Sequence, residues 1–492
     1  MTLTREAERL SADSQLARTL QPRHLSMIAM GGAIGAGLLV ASSTAIVTAG
    51  PAVIVTYLLA GTVLVLVMRM LGEMAARSPE TGSFSVYARR YIGRWAGFSV
   101  GWLYWWFWSV TVAIEATAAA TIISGWWPVA PQWLVALVLV LAFMGLNLLS
   151  VRSYGEAEFW FSSIKIGAIA VIIVVGLLAV LGLIPSSTAS FANYTSGGGF
   201  FAHGVGAIFT ALLAVIFSMF GAEIATVAAG ESSNPAVAVA KAVRSVIFRV
   251  LFFYVGSIAV TLLVIPWTMV TAGSSPFVTM FEALGIPYAG LAMNIVVLTA
   301  LLSCLNASLY AASRMVFALA EQGDAHRAFS RVSTSRAPRN AIVLSSLIGV
   351  VSVALNYFMP EQVFSLLVNS TGGVGIFVWL IVAVSHLRSR RLDGGQGTVV
   401  VNYLLIVGLL ALLIYMGFAE AHRVEVLISV AVAAVLATLG ALTHRHSTTV
   451  SSHSQRYLGD RSGPHSPASG QPKGYPRSSL SPKRSLFKGF PR

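Results

Sequence analysis

Charged residues are scarce in this sequence. Asp, Glu, Lys and Arg make up 10% of its 492 residues, against 56% for the hydrophobic set. A soluble globular chain carries about 25% charge, so most of this length is not a freestanding soluble domain. Cysteine is scarcer still: the single Cys304 rules out an intrachain disulfide and a cysteine metal cluster. Histidine does not replace it, because His203 and His386 have no partners at metal-ligand spacing. No metal and no cofactor is expected. The apolar segments hold no nucleophile–base pair and no His/Asp cluster, which speaks against a polytopic membrane enzyme. Acidic residues are outnumbered 18 to 32, for a net charge of +14. The basic residues are spread over separate loops, without the compact aromatic–basic domain that grips nucleic acid, so no nucleic-acid partner is expected. No short basic region, apolar core and small-residue cleavage site precede the first apolar run, so no cleaved signal peptide is expected.

What the sequence has is apolar length. Mean hydropathy is +0.78. Runs of about 18–25 apolar residues recur along nearly the whole chain, the mark of a polytopic all-α membrane protein. Twelve spans are predicted, at 25–48, 52–72, 97–125, 131–149, 158–182, 201–231, 242–266, 286–319, 340–358, 362–386, 400–418 and 424–442. Arg77, Arg89, Arg90, Arg94, Arg152, Arg327 and Arg339 all fall on one side of these spans, and Arg423 alone on the other. The positive-inside rule then puts both termini in the cytoplasm. Residues 1–23 form a cytoplasmic N-terminal segment, 24–443 the twelve-helix domain, and 444–492 a basic tail. That tail, closing on "RSSLSPKRSLFKGFPR", is too polar to build a core and is expected to be disordered. It is either simply solvated or in touch with anionic membrane lipid.

Two spans carry interruptions. "GGAIGAGLLV" (Gly31–Val40) places four glycines in seven residues of span one, and "FSMFGAE" (Phe217–Glu223) puts a glycine and a carboxylate within span six. Spans one and six enter from opposite sides and stand five spans apart. Such a pair points to a five-plus-five inverted-repeat transporter, with repeats at about 24–182 and 201–386 and helices 11 and 12 outside them. Unwinding at Ile34, Gly35, Ala36 and Gly37 would aim amides at a carboxylate. Unwinding at Phe217, Ser218, Phe220 and Gly221 would free carbonyls for an ammonium group. Close helix packing through the Gly31–Gly35 pair is the competing reading.

Ionisable residues inside the membrane are expensive and mostly functional. Lys165, in "FWFSSIKIGAIAV", lies about 10 Å inside span five, counted from Glu158 at 1.5 Å per residue. It suits a proton-coupling role, with snorkelling to the surface as the alternative. Tyr104, Trp108, Thr111 and Glu115 form one face of span three. They suit the wall of a pocket for an amine, or Glu115 ties helices together. Glu223 follows the span-six break and suits support of the broken backbone or proton relay. Glu73, Glu231 and Arg314 read as interfacial or gate residues. Ser303, Asn306 and Ser308 suit a cavity lining or interhelical bonds. "NSTGGVG" (Asn369–Gly375) suits a hinge or close packing, and "TSGGG" (Thr195–Gly199) an outside loop.

Many segments resemble the amino acid permease family of the amino acid–polyamine–organocation superfamily. They include "RHLSMIAMGGAIGAGL", "AGPAVIVTYLLAG", "TGSFSVYA", "YGEAEFWFSSIKI", "FGAEIATVAAGES", "YAASRMVFALAEQGDA" and "APRNAI". The resemblance runs from about Arg23 to Thr443. "GRWAGFSVGWLYWWFW", "NLLSVRSYGE" and "SCLNASLYAASRM" are most similar to the 4-aminobutyrate permeases. The resemblance implies proton-driven amino acid uptake across the inner membrane of a bacterium, with an amino acid and protons as the small partners. It implies that Ile34–Gly37 takes the carboxylate, Phe217–Gly221 the amine, and that Lys165 stands where sodium-coupled relatives bind an ion. Gly37-Leu38-Leu39 departs from the family's usual Gly-Leu-Phe, the loop Leu387–Thr398 is short, and the basic tail is extra. A carrier of neutral or aromatic α-amino acids, an exchanger and a non-transporting amino acid sensor remain as alternatives.

Overall fold

The computed structural model describes residues 34–77, 83–149, 151–184, 188–221, 248, 250–333, 337–359, 362–392 and 399–458. The chain divides into two units, Met1–His444 and Arg445–Arg492. In hydrocarbon every backbone polar group must find its partner within the protein, so long apolar runs become helices. In chain order these are α1 (Ala36–Leu39), α2 (Ala41–Ala49), α3 (Val53–Arg77), α4 (Ser83–Tyr91), α5 (Arg94–Trp126), α6 (Gln132–Leu149), α7 (Val151–Val180) and α8 (Gly206–Thr210). There follow α9 (Leu212–Met219), α10 (Ser257–Val264), α11 (Pro276–Ala283), α12 (Ala289–Glu321), α13 (Arg339–Phe358), α14 (Val363–Leu392), α15 (Val399–Phe418) and α16 (Arg423–Leu458).

Nine described segments are long and apolar enough to cross a membrane. The first, Ala36–Ala75, is interrupted by a 3-10 turn at Gly50–Ala52. Gly50 sits at φ +60 and Pro51 has no amide to donate, so α2 cannot run on into α3. Gly206–Met219 and Val250–Val264 are apolar but shorter. The expected start of a helix at 201 is corrected: residues 201–205 form turns. Gly197, Gly198, Gly199 and Gly204 all take positive φ, so the chain stays irregular until Gly206. At the other end, α16 continues to Leu458, beyond the residue 443 at which its apolar stretch closes. Once a helix is nucleated each further residue adds one bond, which lets polar sequence extend it.

Burial sorts the helices into a centre and a rim. In α5, α12 and α14, 78%, 72% and 83% of the apolar window is buried, against 11% in α6 and 22% in α16. Charges tie the ends together. Arg89 of α4 pairs with Asp324 just past α12, whose carbonyl accepts from Trp102 Nε1 of α5 at 3.3 Å. Glu73 of α3 faces His386 Nε2 of α14 at 3.1 Å and also pairs with Arg390. His386 in turn meets Asn402 of α15. Buried Arg314 lies 4.2 Å over the Tyr310 ring.

Candidate functional site

Ile34 and Gly35 are buried and non-helical, and α1 starts at Ala36. An amide at the start of a helix has no partner inside that helix. Here Glu115 of α5 supplies one: both carboxylate oxygens stand 3.0 Å from the Ala36 nitrogen. The Cys304 thiol of α12 is hydrogen-bonded to the same carboxylate. Gly35 permits this meeting, since a Cβ there would lie 2.5 Å from Cys304 Sγ and 2.6 Å from Glu115 Oε1. The place that sequence reasoning reserves for a substrate carboxylate is therefore filled by the protein's own.

The end of α9 faces the start of α1. Helix α9 ends at Met219; Phe220 turns extended at ψ 150, and Gly221 takes φ +117. A Cβ on Gly37 would lie 2.5 Å from Ser218 Cα, so the two segments touch. The Ser218 carbonyl is not left open, because Tyr254 donates to it at 2.8 Å. Phe220 is sandwiched between the rings of Phe107, 4.1 Å away, and Trp379, 5.1 Å away.

Between these pieces lies a cavity of about 10 Å³, enough for one water molecule. Gly35, Gly37, Phe107, Trp108, Thr111, Glu115, Phe217, Ser218, Phe220 and Cys304 line it. Among the described residues the buried Trp108 Nε1 has no hydrogen-bond acceptor. Tyr104 is buried but stands behind Trp108, with ring centroids 6.0 Å apart, and takes no part in the wall.

Lys165 of α7 is buried, at 1% exposure, so it does not snorkel. Its Nζ lies 3.4 Å from Glu158 Oε1, on the same face of α7. Glu158 also accepts from Ser162 at 3.2 Å and, through Oε2, from Ser303 of α12 at 2.8 Å. Ser303 thus bonds between helices, as does Asn306, which accepts from Asn147 at 2.7 Å. Ser308 bonds back to the Cys304 carbonyl. Successive residues of α12, Ser303 and Cys304, therefore hold the two buried carboxylates. Glu223 and Glu231 lie outside the described residues.

Sequence reasoning missed Phe107, Cys304, Glu158 and Trp379. For Glu158 a signal existed: Glu158, Ser162 and Lys165 recur at i, i+4 and i+7, on one helical face. Phe107 had one too, standing four residues before Thr111 and eight before Glu115 on the same face; for Cys304 and Trp379 there was none, since a lone cysteine or an aromatic in an apolar helix reads as core.

Comparison with known proteins gives this geometry its context. The chain is 43% identical to the gamma-aminobutyric acid permease of Bacillus subtilis, covering 85% of this chain and 92% of that one. It is 42% identical to the Escherichia coli protein of the same name, with the same coverage. It is also 42% identical to the aromatic amino acid transport protein of Corynebacterium glutamicum, over 76% of this chain and 81% of that one. Among solved structures, a histidine-to-alanine mutant of the manganese transporter of Eremococcus coleocola shares the fold. The TM-score is 0.54 at 16% identity, covering 86% of this chain and 93% of that one. Residues 24–419 match the family described as amino acid permease. With helices that cross a membrane many times, buried charge at their centre and relatives that are permeases rather than enzymes, the chain belongs to the amino acid permease family.

Proposed function

We propose that the protein imports amino acids by proton symport with alternating access, with 4-aminobutyrate as its substrate. The observation that carries this reading is the Glu115 carboxylate on the Ala36 amide, inside a cavity closed to the size of one water. It fits a carrier occluded without substrate. An arriving carboxylate must displace Glu115, and two carboxylates at one amide repel each other. A proton travelling with the substrate removes that repulsion. Ile34, Gly35, Ala36 and Gly37 then take the substrate carboxylate. Phe217, Ser218, Phe220 and Gly221, with Trp108 and Tyr104 behind, enclose the amine end. Lys165, held by Glu158, and Glu223 serve the proton's path. Ten of the twelve spans form two inverted repeats of five, with α15 and α16 outside them. The protein sits in the inner membrane with both termini and the tail 444–492 cytoplasmic.

The relatives named for gamma-aminobutyric acid support the substrate. So does the wall: the rings of Phe107, Phe217 and Phe220 already crowd the cavity, which favours a slim ω-amino acid over a bulky one. The relative named for aromatic amino acids favours a second reading, transport of aromatic α-amino acids. Proteoliposomes with an inward proton gradient separate the two. Labelled 4-aminobutyrate should accumulate, unlabelled 4-aminobutyrate should compete better than phenylalanine, and Lys165→Ala should abolish accumulation. Better competition by phenylalanine would transfer the assignment to the second reading. Uptake indifferent to the gradient would leave exchange in place of symport, and binding without uptake would make the protein a sensor.

A further inference from the structure

Two carboxylates and one ammonium are buried together beside the central cavity. Glu158 and Lys165 of α7 are 0% and 1% exposed, and Glu115 of α5 is 1% exposed. The Cys304 thiol of α12 lies within the field of all three charges. The charges do not balance. Glu158 is matched: Lys165 Nζ stands 3.4 Å from its Oε1, and the Ser162 and Ser303 hydroxyls donate to the same carboxylate. Glu115 is held instead by the Ala36 amide and the Cys304 thiol, both neutral, and among the described residues no cation stands within ion-pair distance of it. The Lys165 charge acts on it through space only.

An ionised group inside a membrane protein is costly unless an opposite charge offsets it. Of two such carboxylates, the one paired with the ammonium keeps its charge at least cost, and the one held by neutral donors takes up a proton at least cost. Adjacent residues of α12 keep the two apart: Ser303 holds Glu158 and Cys304 holds Glu115. Were Glu158 uncharged, the Lys165 ammonium would be left to offset Glu115, and Glu115 would need no proton.

We propose that Glu158 is a positioning residue of the proton step: by occupying Lys165 it leaves the travelling proton to Glu115. The proton binds a Glu115 oxygen, that carboxyl leaves the Ala36 amide, and the substrate carboxylate takes its place. The proton is released when Glu115 returns to the amide, and no other covalent bond forms or breaks. Glu158 itself does not line the cavity. This deepens the symport reading and rests on it, but not on the identity of the substrate.

Proteoliposomes with the membrane potential clamped at zero test it, using as label whichever of 4-aminobutyrate and phenylalanine competes better. Under an inward gradient of about one pH unit, one proton per substrate lets wild type accumulate label about tenfold. Glu158→Gln, which keeps an acceptor for both serines, should still equilibrate label across the membrane but hold it at about onefold, because Lys165 now offsets Glu115. The Glu158→Gln, Lys165→Met double variant again leaves Glu115 as the one unmatched charge and should regain about tenfold accumulation. A merely structural Glu158 would slow entry with and without the gradient alike, and loss of Lys165 would not rescue it. Tenfold accumulation by Glu158→Gln, no entry of label into its vesicles, or a folded double variant that does not accumulate would overturn the proposal. Should Glu158→Gln fail to fold, the double variant decides alone, since replacing both members of a buried pair is tolerated better than removing one. A wild type that equilibrates label without accumulating it would overturn the symport reading and this inference together, whereas coupling in wild type that Glu158→Gln leaves intact would overturn this inference only.

Discussion

Glycines cluster in two buried regions of this protein, and they do opposite things. Ile34 and Gly35 are not helical, and α1 begins at Ala36. In α14, "NSTGGVG" sits within an unbroken helix from Val363 to Leu392. There the glycines are points of contact. Gly372 lies against the Leu213 backbone carbonyl, Gly373 against Ser429 Oγ, and a Cβ on Gly375 would fall 2.5 Å from the Phe220 ring. What separates the two regions is the neighbour. Gly35 and Ala36 face a buried carboxylate that accepts the stray amide, whereas Gly372 faces the carbonyl of a packed helix. Glycine permits either outcome, and a buried acceptor on another helix favours a helix start.

The comparison can be broken most sharply at Gly372. Gly372→Ala drives a methyl into backbone that cannot rotate away. It should cost about 1–3 kcal/mol of stability, read as a lower thermal midpoint in detergent. A neutral result would remove packing as the role of this cluster. Next is Glu115. Glu115→Ala strips the Ala36 amide of its acceptor at a cost of about 1–3 kcal/mol. Glu115→Gln keeps a carbonyl oxygen there and should recover most of the lost midpoint, while both variants lose gradient-driven uptake. Equal midpoints for the two would mean that the carboxylate does not support the break.

Nine membrane-length segments among the described residues were legible because lipid imposes a simple rule: long apolar runs must close their own hydrogen bonds. The Gly50–Pro51 interruption was legible for the same reason in reverse. Depth was not. Tyr104, Trp108, Thr111 and Glu115 do share a face of α5, but Tyr104 and Glu115 are eleven residues and about 16 Å apart along the axis. Trp108, Thr111 and Glu115 line the cavity and Tyr104 lies beyond it, while Phe107, one turn before Thr111 on the same side of α5, enters the wall. The Lys165–Glu158 pair was visible as spacing yet unreadable as chemistry, because what joins it to the site is Ser303 and Cys304 on another helix. Periodicity reports which residues of one helix lie together. It does not report which helix arrives opposite them.

Gly35 should show a smaller effect on stability than Gly372 and a larger one on function. Of the atoms that a Cβ would meet, Cys304 Sγ and Glu115 Oε1 are side-chain ends that can swing aside, but Cys304 Cβ, 2.6 Å away, is fixed to α12. Gly35→Ala should therefore lower the midpoint, though by less than Gly372→Ala. Uptake should fall about tenfold, equivalent to about 1.4 kcal/mol of binding, because the displaced carboxylate no longer sits on Ala36. A midpoint loss as large as that of Gly372→Ala, with uptake per folded molecule intact, would place Gly35 among the packing glycines.

The smallest effect belongs to a third kind of glycine, one that neither breaks a helix nor lets another approach. Gly408 lies in the interior of α15 with open space where its Cβ would be. Nothing resists a methyl there, and the helix gains the lower conformational freedom of alanine in the unfolded state. Gly408→Ala should thus stabilise the protein by about 0.5–1 kcal/mol, seen as a raised unfolding midpoint with uptake unchanged. The sign is the informative part. Alanine lowers stability most where glycine packs against backbone, less where part of the contact is movable side chain, and raises it where glycine faces an open groove. A destabilised Gly408→Ala would mean that α15 meets a packed surface at this position, and the distinction between an open glycine and a packing glycine would fail.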